Sequence, residues 1–408
     1  MAAQKMTKQE RSWVLYDVGN SAFVMLSTAL IPVYFASLAE PGSSVTVAWG
    51  LAETVASLVL ALLMPVLGSL ADVAGNKKKF LVGTIGTGAL FCAALGVPAT
   101  AVPFLVVYVV AAIMLNGSMV FYDAFLVDAT TEDRFDTVSS HGYAWGYIGS
   151  CIPFVACLAV VLGGSAVGID TVTGMRIAFV ITALWWVAFS VPLLRNVKQV
   201  HGKPRPERLL ADSVRGLWTT LKRIAGNRKL LLFMVAYFFY IDGVHTVIKM
   251  STSYGTDLGL DSTALVLALL VTQFVAFPAA IAYGRLAKRF GTMRMLMVGV
   301  FAYACIVLYA AFCMRTAAQF WVLAICVGLF QGGIQALSRS EFGKLIPKEN
   351  ANEYFGFFDI FGKYAAVMGT LMVSAFTMAT GNPSMGVLSL GIIFVAGFIC
   401  LVLSERAK

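Results

Sequence analysis

The sequence predicts an all-α membrane protein that crosses the bilayer twelve times in two groups of six helices. Composition is the first reason. The 408 residues are 59% hydrophobic and only 12% charged, whereas a soluble domain carries about a quarter charged residues. Charge this sparse cannot cover a water-soluble protein of this size. The second reason is length. Apolar runs of the roughly 20 residues needed to cross the hydrocarbon core recur along the whole chain, and only helices satisfy their own backbone there in runs of this kind.

In the first half the spans run Trp13–Leu38, Val47–Leu70, Phe80–Val97, Ala101–Val127, Tyr143–Leu162 and Ile177–Leu194. In the second half they run Leu230–Thr252, Ser262–Leu286, Met293–Met314, Ala318–Leu337, Tyr354–Met378 and Met385–Leu403. The basic, polar Met1–Arg11 precedes an apolar run that lacks a small-residue cleavage site and is too long for a signal h-region. That run reads as the first permanent helix.

The net charge of +9 invites a nucleic-acid partner, but its distribution argues against one. Of the 30 Lys and Arg, all but Arg176, Arg315, Lys249 and Lys363 fall on one side of the twelve-span topology. That asymmetry places both termini in the cytoplasm. The basic balance is topology, with some affinity for anionic lipid headgroups. The seven cysteines (Cys92, Cys151, Cys157, Cys305, Cys313, Cys326 and Cys400) lie in or beside apolar helices and form no metal-like cluster. They read as small packing residues without disulfides.

The longest polar stretch, Asn196–Lys229, holds Pro204, Pro206 and the largest single cluster of cytoplasmic positive charge. It divides the chain into a six-helix bundle at 1–195, a basic cytoplasmic linker at 196–229 and a second six-helix bundle at 230–408. Within the linker, Glu207–Ile224 has two readings. It is either a plain tether or an amphipathic helix on the membrane surface, with Leu209, Leu210, Val214, Leu217 and Leu221 on one side. The halves resemble each other: GSLADVAGNKKKFL from Gly68 follows the second span, and GRLAKRFGTMRML from Gly284 follows the eighth. Two halves carrying a weak repeat are an organisation known in secondary transporters.

Gly68 lets a neighbouring helix approach closely, and Gly75 suits a tight turn. Asp72 can hold the N-terminus of a facing helix through its dipole. The basic run from Lys77 can pair with an acid at the base of the fourth span, for which Asp128 is the candidate. This segment resembles the loop signature of the major facilitator superfamily. The resemblance implies that Gly68, Asp72, Gly75, Lys77 and Asp128 form a latch released during transport. Val73 stands where an Arg is usual, and Lys288 replaces the acid in the second copy, which implies a weaker or one-sided latch.

A second resemblance covers nearly the whole chain. Trp13-Val-Leu-Tyr16-Asp17-Val-Gly-Asn20-Ser21-Ala22, Tyr240-Ile-Asp242-Gly243-Val244, Phe330-Gln331-Gly332-Gly333-Ile334-Gln335-Ala336-Leu337-Ser338-Arg339-Ser340 and Glu353-Tyr354-Phe355-Gly356-Phe357 are similar to segments of the autophagy-linked vacuolar amino-acid effluxer family and its bacterial relatives. That resemblance implies a major facilitator fold and solute transport. In the fungal members it implies amino-acid export from the vacuole.

Ionisable groups in the bilayer core cost several kcal/mol unless paired or hydrated, so polar residues inside spans are functional candidates. Asp17, Asn20, Ser21 and Thr28 share a face of the first span, and Asn116 and Asp123 share a face of the fourth. Asp242, His245, Thr246 and Lys249 stripe the seventh, and Gln331, Gln335 and Ser338 align on the tenth. Periodicity says that each helix has a polar face; the resemblance implies that these faces line a central cavity. For Asp242 with His245, proton coupling, static pairing of Asp242 with His245 or Lys249, and substrate contact all stand as readings. Asp17 is either an interfacial acid near a helix start or a cavity residue. Lys363 either pairs with Asp359 at i,i+4 or receives a substrate carboxylate. Gly142, Gly146 and Gly149 favour close helix packing.

The expected function is secondary transport of a small polar solute by alternating access, with protons as the candidate coupling ion. The competing readings are a lipid flippase and a transporter-derived receptor. There is no G-x-x-x-x-G-K-[ST] loop for ATP, and His141, His201 and His245 stand in no catalytic motif, so an enzyme is not expected. Nor is a cofactor or metal. A monomer in a bacterial cytoplasmic membrane is expected.

Overall fold

The computed structural model describes residues 5–39, 45–205, 209–257 and 262–407, with side chains at all of these except 46, 209–215, 252, 253, 256, 257, 262–264, 266 and 363–366. The helices are α1 (Lys8–Ala29), α2 (Ile31–Leu38), α3 (Val45–Ala71), α4 (Lys77–Ala94), α5 (Ala101–Ala124), α6 (Leu126–Ala129), α7 (Phe135–Gly163) and α8 (Thr171–Asn196). They continue with α9 (Leu209–Gly226), α10 (Arg228–Asp257), α11 (Ser262–Phe290), α12 (Thr292–Cys313), α13 (Ala317–Leu345), α14 (Ala351–Thr380) and α15 (Pro383–Arg406).

Among the described residues, ten helices are individually long and apolar enough to cross a membrane, and α1 with α2 form an eleventh span bent by 43°. The predicted first span is therefore broken. Pro32 lies in the first turn of α2, where a missing N–H leaves no bond unmade. The predicted third span corresponds to α4, which begins on Lys77, Lys78 and Lys79 and is not among those eleven. The predicted fifth span begins too late at Tyr143, because α7 starts at Phe135. Its polar first turn looks like a loop by hydropathy, yet Asp136 is buried.

The ends follow local chemistry. Thr7 and Glu10 form a capping box on α1, and Thr316 and Gln319 repeat it on α13. Asp170 and Asn382 cap α8 and α15.

The chain divides into two compact units. One comprises Met1–Thr131, Trp145–Val214 and Pro347–Gly356; the other comprises Glu132–Ala144, Arg215–Ile346 and Phe357–Lys408. Inside the first, α1 packs on α8, α4 on α5 and α8, and α3 on α5. Inside the second, α10 packs on α15, α12 on α13 and α15, and α11 on α13. The neighbour pattern is the same, so the repeat seen in two loops extends to whole helices. One bond is also duplicated: the Tyr16 hydroxyl meets Ser118 Oγ at 2.5 Å and the Tyr240 hydroxyl meets Ser338 Oγ at 2.7 Å.

Candidate functional site

The first repeated loop holds a helix start. Asp72, just past α3, accepts the backbone N–H of Asn352 at 2.9 Å and of Glu353 at 3.0 Å, and the Asn352 side-chain amide at 2.8 Å. Those N–H groups belong to the first turn of α14, which lacks intrahelical acceptors. Asp72 thus does from another helix what an N-cap does from its own. Gly68 makes the approach possible, since a Cβ there would lie 2.5 Å from the Asn352 carbonyl oxygen. Gly75 takes φ +82°, which turns the loop. Burial pushes the Asp72 carboxyl up to about 6, against the pull of Lys77, Lys203 and Asn352. Gly68→Ala is expected to force α3 and α14 apart and destabilise the protein by about 1–3 kcal/mol, measured by unfolding in detergent.

Beside this contact, Lys77 Nζ bonds Asp128 Oδ2 at 2.6 Å, with both side chains fully buried. Lys77 also donates to the Ala124 carbonyl at 3.2 Å. The other oxygen of Asp128 accepts from the backbone N–H groups of Val200 and His201, each at 2.8 Å, and lies 3.1 Å from His201 Nδ1. The start of the linker therefore lies along the loop. Lys203 pairs with Val73 through two backbone bonds, Lys203 N–H to the Asp72 carbonyl at 2.8 Å and Ala74 N–H to the Lys203 carbonyl at 3.0 Å. The Gln199 side chain accepts from Gly75 N–H at 2.9 Å and Lys77 N–H at 3.2 Å. Lys203 Nζ then reaches Glu353 Oε2 at 2.8 Å.

The second loop uses the opposite arrangement. A Cβ on Gly284 would come 2.6 Å from Ser140 Oγ, so close approach is repeated. With Lys288 in the loop, the acid sits on the facing helix. Asp136 in the first turn of α7 accepts from Thr292 Oγ1 at 2.7 Å, from Lys344 Nζ at 2.8 Å and from Ser340 Oγ. Arg339, also buried, donates to Ser139 Oγ at 2.9 Å and lies over the Tyr143 ring.

Inside the spans, Asp17 is buried and accepts from the Tyr122 hydroxyl at 2.7 Å and Asn20 Nδ2 at 3.3 Å. It sits well inside α1, whose cap is Thr7. The helix-start reading of Asp17 is therefore corrected. Gly146 and Gly149 of α7 lie against α1 at Ser21 and Val18. Asn116 and Asp123 on α5 are half-buried, and Asn116 bonds its own helix at Ala112. On α10, Asp242 is fully buried, His245 half-buried and Lys249 exposed.

Asp242 Oδ1 accepts the Gly369 N–H at 3.0 Å and the Thr246 hydroxyl at 3.3 Å. Its other oxygen has no hydrogen-bond partner among the described residues. The static Asp242–His245 bond is thus corrected: the acid turns toward α14, where Gly369 leaves room for it. On α13, Gln331 is buried and Gln335 donates back to its carbonyl at 3.3 Å. The side chain of Lys363 lies outside the described residues.

Sequence reasoning missed Asp136, Lys203, Lys344 and Glu353, whose partners lie 150 or 208 residues away. It also missed Glu53, a carboxylate within the second span that receives the Tyr108 hydroxyl. An acid inside a hydrophobic run is the signal that would have found it.

The family profile described as "Vacuole effluxer Atg22 like" matches residues 127–408. The chain belongs to this family. Across the Atg22-like family, a Bacillus subtilis relative named "Uncharacterized MFS-type transporter YxiO" is 45% identical over 407 residues, covering 98% of this chain and 95% of that one. Autophagy-related protein 22 of Coccidioides immitis is 26% identical over 70% of this chain, and this chain spans only about half of that protein's length, 51%. Among solved structures, the fold matches the major facilitator transporter FucP in its outward conformation, with TM-score 0.76 at 14% identity over 96% of this chain and 97% of that one. The proton:xylose symporter XylE gives TM-score 0.73 at 11% identity over 96% and 93%. The chain is a multi-pass membrane protein of the major facilitator type, and family and fold point to a transporter rather than an enzyme.

Proposed function

We propose that this Atg22-like protein moves a small polar solute of amino-acid type across the membrane by alternating access, with protons as the coupling ion. The observation that carries the reading is Asp242, a fully buried carboxylate inside a span with one oxygen left without a hydrogen-bond partner among the described residues. A membrane-embedded acid of this kind is costly unless it exchanges a proton or binds a cation. The vacuole effluxer description of the family supports solute efflux, the amino-acid class is what the resemblance implies, and the proton symporter that shares its fold supports the coupling ion.

In this reading 1–195 and 230–408 act as two bundles and 196–229 as their linker. Both termini lie in the cytoplasm of a bacterial cell, and the transporter works as a monomer. Asp17, Asn20, Asn116, Asp123, His245, Lys249, Gln331, Gln335 and Lys363 are the further solute or proton contacts. Gly68, Asp72, Gly75, Lys77 and Asp128 form the latch. The test is uptake and efflux of a labelled amino-acid panel in proteoliposomes, with and without a pH gradient. Flux that ignores the gradient would remove the coupling role.

A second reading, lipid flipping, is favoured by one cavity. About 390 Å³ lies inside the second unit, lined mainly by apolar side chains such as Met250, Ile306, Val307, Leu323 and Leu390. Labelled lipids in the same vesicles separate the two readings.

The latch predicts a pH dependence with a definite sign. In the closed contact the Asp72 carboxyl sits at about 6, and on opening to water it would return to about 3.9. The closed state then binds the proton more tightly, so it is favoured on acidification. That preference, up to about 3 kcal/mol, is fully present below about pH 4 and lost as pH rises through about 6. Hydrogen exchange at Asn352 and Glu353, corrected for intrinsic rate, should show more frequent opening above that midpoint. Asp72→Asn should flatten the profile.

A further inference from the structure

We propose that Lys203 of the linker is a positioning residue of the Asp72–α14 contact, so that the linker is a working part of the latch rather than a tether. This deepens the latch reading above and rests on it.

Two carboxylates meet at the start of α14. Asp72 caps Asn352 and Glu353 from outside, and the Glu353 side chain is itself buried, with only 1% exposed. Glu353 Oε1 has no hydrogen-bond partner among the described residues, and Oε2 is held by Lys203 at 2.8 Å. Two carboxylates gathered at one buried helix end carry a desolvation cost and repel each other. The helix dipole relieves part of that cost, and a cation must relieve the rest.

Lys77 acts on Asp72 by its charge, but its ammonium is bonded to Asp128 at 2.6 Å. Lys203 is the cation committed to Glu353. Among the described residues, the ionisable groups around Asp72 are then Lys77 at the start of α4, Lys203 of the linker and Glu353 of α14. Asp128, beyond α5, neutralises Lys77 and meets His201.

Lys203 is also held in register. Its backbone is bonded on both sides to the α3–α4 loop, through the Asp72 carbonyl and the Ala74 N–H. Gly202 lies so close to the loop that a Cβ would come 3.1 Å from the Asp72 carbonyl oxygen. Gln199 donates to the carbonyls of Ala71, Asp72 and His201, and Asp128 gathers the Val200 and His201 N–H groups. A tether needs none of these bonds. Together they fix the backbone of 199–203 against the loop, and the Lys203 side chain spans from that strand to the first turn of α14. The linker therefore reports to the helix start through one ammonium, and any change that lifts 199–203 off the loop withdraws it.

The experiment is hydrogen exchange with mass spectrometry on the purified full-length protein between pH 5 and 8, following peptides that cover 71–77 and 351–356. It needs no solute. In Lys203→Ala, exchange at 351–356 should rise at neutral pH and the pH midpoint of opening should move upward by about one unit. Lys203→Arg should restore both. Combining Lys203→Ala with Glu353→Gln should also bring protection back, because the charge that required the lysine is gone.

Wild-type exchange and midpoint in Lys203→Ala, beside altered exchange in Asp72→Asn, would overturn the role of Lys203 alone. An unchanged profile in Asp72→Asn as well would overturn the latch reading itself. Lys203 is partly exposed, with 28% of its side chain accessible, so its replacement leaves no large cavity. A general loss of protection across all helices in Lys203→Ala, unrelieved by Glu353→Gln, would assign Lys203 to folding and overturn the proposal.

Discussion

Lys77→Met is expected to destabilise the protein by about 3–5 kcal/mol, the range for removing one member of a buried ion pair. Its ammonium and the Asp128 carboxylate are both wholly shielded from solvent and 2.6 Å apart. Methionine fills the volume of the lysine stem but leaves the carboxylate without its cation. Asp128 keeps its bonds to Val200 and His201, which moves the loss toward the lower end of that range. Lys77→Met combined with Asp128→Asn should recover more than half of it. The amide oxygen still accepts from the linker, and no charge is left buried. Unfolding in mixed micelles at several denaturant concentrations measures this. A single mutant as stable as the parent would mean that the pair contributes nothing.

The spans were legible because hydropathy needs no tertiary information. The kink at Leu30 was not, since Pro32 reads as part of an unbroken apolar run. The start of α7 was misplaced for a related reason. Asp136 and Ser139 look like loop residues to hydropathy, and only Thr292, Ser340, Lys344 and Ala336, far along the chain, make them helical and buried.

The residues proposed to form the latch stand out in one loop because Gly68, Asp72, Gly75 and Lys77 are close in sequence. That Asp72 would reach α14 cannot be read from spacing. Nor can the role of Lys203, which stands in a segment whose composition describes a tether. The second loop shows the limit most plainly. Lys288 stands in the acid's place there, and the acid near that loop is Asp136 of α7, bonded to Thr292, Ser340 and Lys344. A repeat in sequence marks where helices meet, but which partner carries the charge depends on both strands of the contact.

Within the bilayer, a stripe at i, i+3, i+4 and i+7 placed Asp242, His245, Thr246 and Lys249 on one helix face, and the structure separates them by depth. Asp242 and Thr246 face the interior of their own unit, while Lys249 is exposed. Helical periodicity gives an angle around the axis. It does not tell how far a neighbouring helix covers that angle, and here Gly369 brings α14 close enough to take the carboxylate.

Asp242→Asn should abolish pH-driven accumulation of the solute while leaving the protein folded and able to exchange solute between the two sides. The asparagine oxygen still accepts the Gly369 N–H and the Thr246 hydroxyl, which hold Oδ1 at 3.0 and 3.3 Å. The amide nitrogen takes the place of the oxygen that has no hydrogen-bond partner among the described residues. Shape and the α10–α14 tie are therefore kept, and the ability to gain and lose a proton is removed. Two assays on the same proteoliposomes separate these consequences: counterflow reports exchange, and uptake against an imposed pH gradient reports coupling. Counterflow near the parent value with accumulation at background is the expected pair. Loss of both would assign Asp242 to solute binding or to folding. Full accumulation in the mutant would move the coupling role to another membrane carboxylate, and Glu53, bonded to the Tyr108 hydroxyl in the second span, is the next to replace.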